Sequence, residues 1–299
     1  MKLMIDQLIE GIKSTGNPTC VGLDTQLGHL PEGFAGKVES FEDAAAAIIK
    51  YNKALVDALC GIVPSVKVQI AYYEMYGVPG MQAFVDTCAY AKSKGLVVIA
   101  DAKRNDIGAT SGAYANAFLG ETPLGDKALS AFPADFVTVN AYLGSDGILP
   151  FLKASEVRGG GIFALVKTSN PSGVELQDLM IGDRHVYEVM GDLVSKWGES
   201  CIGSHGYSSV GAVVGATYPE QGAALRVRLP HTFFLVPGYG AQGATGKDLR
   251  GCFDQNGMGA VVNASRSILT AWKKQPGVDF AQAAYNEAIR MRDDIMEGM

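Results

Sequence analysis

The sequence contains no Cys-x-x-Cys pair. Its five cysteines (Cys20, Cys60, Cys88, Cys201 and Cys252) are scattered and odd in number. That usage argues against a disulfide framework and fits reduced thiols in a cytosolic protein. Histidine is scarce: His29, His185, His205 and His231 show no metal-ligand spacing, so structural or surface roles are expected. No run approaches the ~18 apolar residues needed to span a bilayer. The N-terminal MKLMIDQLIEGIKS carries acids inside its apolar stretch, which excludes a secretory signal. Basic charge is also short. The 25 Lys and Arg face 31 Asp and Glu, for a net charge of −6. This balance argues against a general nucleic-acid or anionic-membrane surface. A small positive pocket is still compatible with it, and would suit a small phosphorylated substrate. The expectation is a soluble, cytoplasmic protein.

What is present is a repeated alternation. Hydrophobic residues make up 47% and charged residues 19% of the 299 residues, a globular balance that needs no staples to bury a core. Eight short apolar runs each end in a polar or glycine-bearing tip: 19–24, 65–70, 96–101, 136–141, 161–166, 211–216, 232–237 and 259–264. Near-continuous apolar runs suit parallel strands covered on both faces. Between them lie helical patterns at 41–60, 81–95 and 184–201, the first with Ile48, Ile49, Leu55, Val56 and Leu59 on one stripe. Eight such units without a composition break predict an α/β fold: one (β/α)8 TIM barrel over 1–299, as a single domain.

In such a barrel the loops after the strands carry the chemistry. The polar residues at those tips are Asp24, Lys67, Asp101, Lys103, Asp106, Ser169, Gln242 and Arg266. DAKRND (101–106) is the densest of these signals. Asp101 and Lys103 are two apart on a strand and so share a face. Asp106 is expected to open the next helix, where a carboxylate suits the dipole. With Asp24 and Lys67 these residues form an alternating charge array. A lysine among carboxylates is held protonated, whereas a Schiff-base lysine needs a lowered pKa. Lys103 therefore reads as a proton donor that stabilises and quenches a carbanion. A surface salt-bridge cluster is the plainer alternative, weakened by the placement at a strand end.

GYGAQG (238–243) formally matches a dinucleotide-binding fingerprint. It lacks the long helix and the acid that such a site needs. The glycines fit better as a loop whose backbone cradles a phosphate. Arg266, at the tip of the eighth run, would offer the dianion a bidentate fork. Loops after the seventh and eighth strands are the recurrent phosphate site of these barrels. Lys167 could mimic a Schiff-base lysine, but no pKa depressor is apparent around it. Gly159–Gly161 reads as the turn into the fifth run. Asn263-Ala-Ser is a formal glycosylation match without meaning in a cytoplasmic enzyme. The segment 25–40 reads as an insertion without an assigned purpose.

Taken together, GLD (22–24), Lys67 in VKVQIAYYE, DAKRND, LVKTSNPSG (165–173), VPGYGAQG and ASRSIL (264–269) resemble, in order, the orotidine 5′-phosphate decarboxylase family. D-A-K-R-x-D in a longer chain is similar to its bacterial, mycobacterial-type (type 2) subgroup. The D-x-K-x-x-D core occurs across a wider barrel suprafamily, so the combination carries the specificity. The resemblance implies decarboxylation of orotidine 5′-phosphate to UMP without metal or cofactor, in a homodimer with composite sites. Lys103 would protonate C6, Asp101 would sit beside the scissile carboxylate, and Lys67 would hold the network. Asp24 would bind ribose. Asp106 would come from the second subunit, accompanied by Ile107 and Thr110. Ser169 would meet the pyrimidine, with Thr168 as the other candidate, and Gln242, Gly243 and Arg266 would bind phosphate. ASRSI departs from the flavour of shorter members around Arg266. A Mg²⁺-dependent sugar-phosphate decarboxylase or aldolase of the suprafamily is the nearest rival, and a non-catalytic nucleotide-binding barrel a more distant one.

Overall fold

In the computed structural model, which describes residues 2–240 and 243–299, the eight apolar runs become eight parallel strands. They are β1 (Thr19–Gly22), β2 (Ser65–Gln69), β3 (Val97–Arg104), β4 (Phe136–Val139), β5 (Gly161–Lys167), β6 (Ser208–Val214), β7 (Thr232–Pro237) and β8 (Ala260–Ala264). Each pairs with its sequence neighbours and β1 pairs with β8, which closes the barrel. The expected (β/α)8 TIM barrel is the observed fold.

Strand alternation divides the apolar residues into two layers. Cys20, Val97, Ile99, Phe136, Phe163, Val213, Phe233, Leu235 and Val261 form one buried cluster inside the barrel. The intervening residues, such as Val66, Val98, Val137, Ile162, Phe234 and Val262, pack outward beneath the helices. Burial pushes the Cys20 thiol up to about 12 and that of Cys252 likewise. Both therefore stay protonated and act as small hydrophobes. The helix Met4–Thr15 contributes Ile5, Leu8, Ile9 and Ile12 to the interior cluster. It closes the end where the strands begin, with Met4 N donating to the Gly159 carbonyl ahead of β5. The opposite end is left for the site.

The helical patterns are present with shifted ends. The first is Phe41–Leu59, opened by a reciprocal capping box between Ser40 and Asp43. The second starts earlier than its periodicity predicts, at Gly77, and runs to Ser93. The third spans Val186–Gly198 and is capped by His185 and Glu188, with Glu199–Cys201 tightening into a 3₁₀ turn. The insertion 25–40 folds back over the barrel's edge: Phe34 packs edge-on against Tyr51 and Phe280, and Leu30 is buried. Among the described residues, no helix is long and apolar enough to cross a membrane.

Candidate active site

On β2 and β3 the inward residues near the carboxyl ends are charged or polar, because Val97 and Ile99 set the phase that Asp101 and Lys103 continue. Lys67 does the same on β2, between outward Val66 and Val68. Lys67 Nζ lies 3.0 Å from Asp24 Oδ1 and 3.0 Å from Asp101 Oδ2. Lys103 Nζ donates to Asp101 Oδ1 at 2.6 Å. The array thus reads Asp24–Lys67–Asp101–Lys103. Lys67, rather than Lys103, is the lysine held between two carboxylates. Their exposure differs as sharply: the Lys67 side chain is 5% exposed and that of Lys103 46%.

Burial alone would push Asp101 up, but Lys67 and then Lys103 outweigh it and hold the carboxyl well below the usual range. Burial would likewise lower Lys67, and Asp24 and Asp101 overcome it, so its pKa is raised. Thr138 Oγ1 and Gln69 Nε2 donate to Asp101 at 2.8 and 2.9 Å, so both carboxylate oxygens are satisfied. Thr138 Oγ1 also accepts from Lys103 N at 3.0 Å. That bond anchors the one non-glycine residue at positive φ among the described residues, Lys103 at φ 48°. The β3–β4 register shifts between Ala100 and Arg104, so a bulge aims this side chain. Gly22 is required by close approach: a Cβ there would collide with Ser265 Oγ, which donates to Asp24 Oδ2 at 2.8 Å.

Because Asp101 is buried with a depressed pKa, its contribution to stability is present above the ordinary Asp value of about 3.9. It is lost as pH falls from there towards the folded value. Unfolding free energy is expected to fall as pH drops below about 4. Asp101→Asn should flatten that slope while costing about 3–5 kcal/mol at neutral pH, by leaving a buried lysine short of a partner. Urea titrations across pH check this, and equal slopes in both proteins would place the proton uptake elsewhere.

Two cavities meet at Lys67, Asp101 and Pro237. One, of about 300 Å³, runs from Asp24 and Gln69 to Gly238, Ser265 and Arg266. Among the described residues, the Arg266 guanidinium has no ion-pair partner. The other, of about 240 Å³, has Leu165, Val213 and Leu235 as apolar walls and Thr138, Thr168, Ser169 and Asn170 as a polar rim, with Lys103 at its edge. A polar chamber beside a more apolar one, joined at Lys67 and Asp101, suits a ligand with an anionic tail and a less polar head. A family profile described as orotidine 5′-phosphate decarboxylase / HUMPS matches residues 18–277.

The chain belongs to this family.

Relatives bearing the name orotidine 5′-phosphate decarboxylase include one from Rhodopirellula baltica, 44% identical over 97% of this chain and 96% of its own. Another, from Caldicellulosiruptor bescii, is 42% identical over 97% of each. The crystal structure of a Streptomyces avermitilis protein assigned to the same enzyme superimposes with a TM-score of 0.81 at 32% identity, covering 100% of this chain and 96% of that one. Leishmania donovani OMP decarboxylase gives 0.74 at 29% identity over 97% and 98%.

Against the decarboxylase family's expected site, the residues divide. Asp24, Lys67, Asp101, Lys103, Ser169 and Arg266 all line one cavity or the other. Thr168 and Ser169 both face the second. The Thr168 hydroxyl donates to Asn170 Oδ1 and accepts from Gln177 Nε2, whereas that of Ser169 is engaged with none of the described residues. Asp106, Ile107 and Thr110 line neither cavity of their own chain. Asp106 does not open a helix either. Its Oδ1 accepts from Ile107 N, a local bond that competes with helix formation, and the helix begins at Gly108. Gly243 lies at φ 93° with its N–H donating to the Gly240 carbonyl, so in this conformation that amide is engaged within the loop. Gln242 falls outside the described residues. The helix after this loop has only four residues, Gly246–Leu249, too short for a dinucleotide site.

Thr138, Gln69 and Ser265 were missed in the sequence. Their signal was available: Gln69 and Thr138 are the inward i+2 neighbours of Lys67 and Phe136, and Ser265 adjoins Arg266. Lys167 breaks the same rule. At the β5–β6 pairing one extra residue intervenes between Leu165 and Lys167, which reverses the phase and turns Lys167 outward. Its side chain is 0% exposed, paired with Asp178 Oδ1 at 2.5 Å and lying 4.5 Å from the Tyr218 ring centre. It faces neither cavity, so no Schiff-base role follows. Lys167→Met should cost about 2–3 kcal/mol by stranding Asp178, and Lys167→Met/Asp178→Leu should recover part of it. Simple additivity in denaturant midpoints would refute the pairing.

Proposed function

We propose that this chain converts orotidine 5′-phosphate to UMP and carbon dioxide, as a carbon–carbon lyase of de novo pyrimidine biosynthesis. The observation that carries this reading is the Asp24–Lys67–Asp101–Lys103 array at the junction of the two cavities. The pyrimidine fits the apolar chamber and the ribose phosphate the polar one, with Asp24 beside the ribose and Arg266 at the phosphate. The bond from C6 to the carboxylate breaks, carbon dioxide leaves, and the electron pair stays on C6. Lys103 Nζ supplies the proton that forms the new C–H bond and recovers one from solvent. Asp101, already ionised and fixed by Lys67, Gln69 and Thr138, holds the Lys103 ammonium in position. An ammonium fixed in place before the anion forms stabilises it without reorganisation.

We read residues 1–299 as a single cytoplasmic barrel domain of the type 2 subgroup, acting as a homodimer without metal or cofactor. Asp24 and Asp101 are both engaged by Lys67, which leaves little for a divalent cation and disfavours the Mg²⁺-dependent rival. Asp106, Ile107 and Thr110 line neither cavity of their own chain, as residues serving a partner's site would. Purified protein incubated with orotidine 5′-phosphate in excess EDTA should form UMP. Unchanged substrate, or activity only with added Mg²⁺, would overturn the reading.

A further inference from the structure

The insertion 25–40 does more than cover the barrel's edge. It brings His29 to the wall of the polar cavity, alongside Asp24, Ser265 and Arg266. Two bonds fasten it there: Trp272 Nε1 donates to the His29 carbonyl at 3.0 Å, and Lys273 Nζ to the Gly28 carbonyl at 2.9 Å. Both donors follow closely on Arg266, so the insertion and the loop after β8 form one unit. The ring itself is oriented by a capping box in which Gln26 N donates to His29 Nδ1 at 3.3 Å. An imidazole that accepts at Nδ1 carries its hydrogen on Nε2 when neutral. Nε2–H is therefore a donor, and it has no partner among the described residues.

The surroundings select what that donor meets. Burial, then Lys273, then Arg266 hold the His29 ring below its ordinary pKa, with Asp24 opposing weakly. A place where two cations make a third positive charge unwelcome is a place of positive potential, and it favours an anion. Resting on the reading that the substrate is a nucleoside monophosphate, we propose that His29 is a phosphate-binding residue, donating Nε2–H to the substrate's 5′-phosphate beside Arg266. The insertion then has a purpose: it supplies a second arm to the phosphate from the β1 side, one that the glycine loop and Arg266 do not provide.

Two substitutions separate this role from loop architecture. His29→Asn keeps an acceptor for Gln26 N but removes the distant donor, whereas His29→Ala removes both. Isothermal titration with UMP and with uridine reads the phosphate contribution directly. Both variants should weaken UMP binding about tenfold, the worth of one charge-assisted hydrogen bond, and leave uridine binding unchanged. The loss in kcat/KM for orotidine 5′-phosphate should match and lie mainly in KM. Recovery in His29→Asn would reduce His29 to a capping residue. Equal losses for UMP and uridine would make its role structural, and no loss in either variant would remove it from the site; each result overturns the proposal. If the wild-type protein leaves orotidine 5′-phosphate unchanged, the decarboxylase reading fails first and this one falls with it.

Discussion

Lys103→Ala is expected to lower kcat for orotidine 5′-phosphate on the order of 10⁴-fold or more, because one side chain supplies two separate effects. Proton delivery by a positioned acid accounts for about 10²–10⁴, and a preorganised charge beside a developing anion for about 10²–10³. Both vanish together with the ammonium that now sits 2.6 Å from Asp101. Binding of UMP should change by less than about tenfold. Lys103 does not line the polar cavity that holds Arg266, and Lys67 keeps Asp101 paired when Lys103 is gone. Spectrophotometric turnover and UMP titration check the two halves of this expectation. A variant that retains more than about a hundredth of the wild-type rate would show that another group donates the proton, and the strained backbone at φ 48° would then need a different explanation.

Mixing inactive Lys103→Ala and Asp106→Ala proteins should restore about a quarter of wild-type activity. Random reassortment makes half of the dimers hybrids, and each hybrid holds one of two sites with both residues intact. The basis is where Asp106 lies. It follows Lys103 by three residues yet lines neither cavity of its own chain, and Ile107 beside it is 55% exposed. Exposed Leu124, Leu129, Tyr142 and Leu143 follow on the loops after β3 and β4, apolar surface of the kind that association covers. Activity is measured after subunit exchange has been verified by mass or fluorescence. No recovery despite exchange would return Asp106 to its own subunit's chemistry or remove it from catalysis.

Much of this protein was legible before its structure. The eight apolar runs became the eight barrel strands, since a buried parallel strand is written as a local run of β-branched and aliphatic residues. Asp24, Lys67, Asp101, Lys103 and Arg266 could be picked out because a barrel brings its strand ends to one rim, and polar residues there stand against apolar neighbours. The pairing within that set was not legible. Lys67 and Asp24 are 43 residues apart, and only closure of β1 against β2 puts them at 3.0 Å. Phase errors explain the rest. A one-residue bulge turned Lys167 outward, and strand alternation by itself gives no warning of it. The Asp106 carboxylate capped its neighbour's N–H instead of starting the helix, a choice made within a single residue's reach.

The chain's own order of residues therefore determined the architecture and the inventory of chemical groups, since hydrophobic periodicity and strand-end polarity are properties of neighbours in sequence. Tertiary structure alone decided which carboxylate holds which ammonium, which side chains look inward, and that His29 from an unassigned insertion lines the polar cavity beside Arg266. These depend on contacts between segments tens to hundreds of residues apart, such as Trp272 with His29. Such contacts are fixed by how the barrel closes, and no local pattern encodes them.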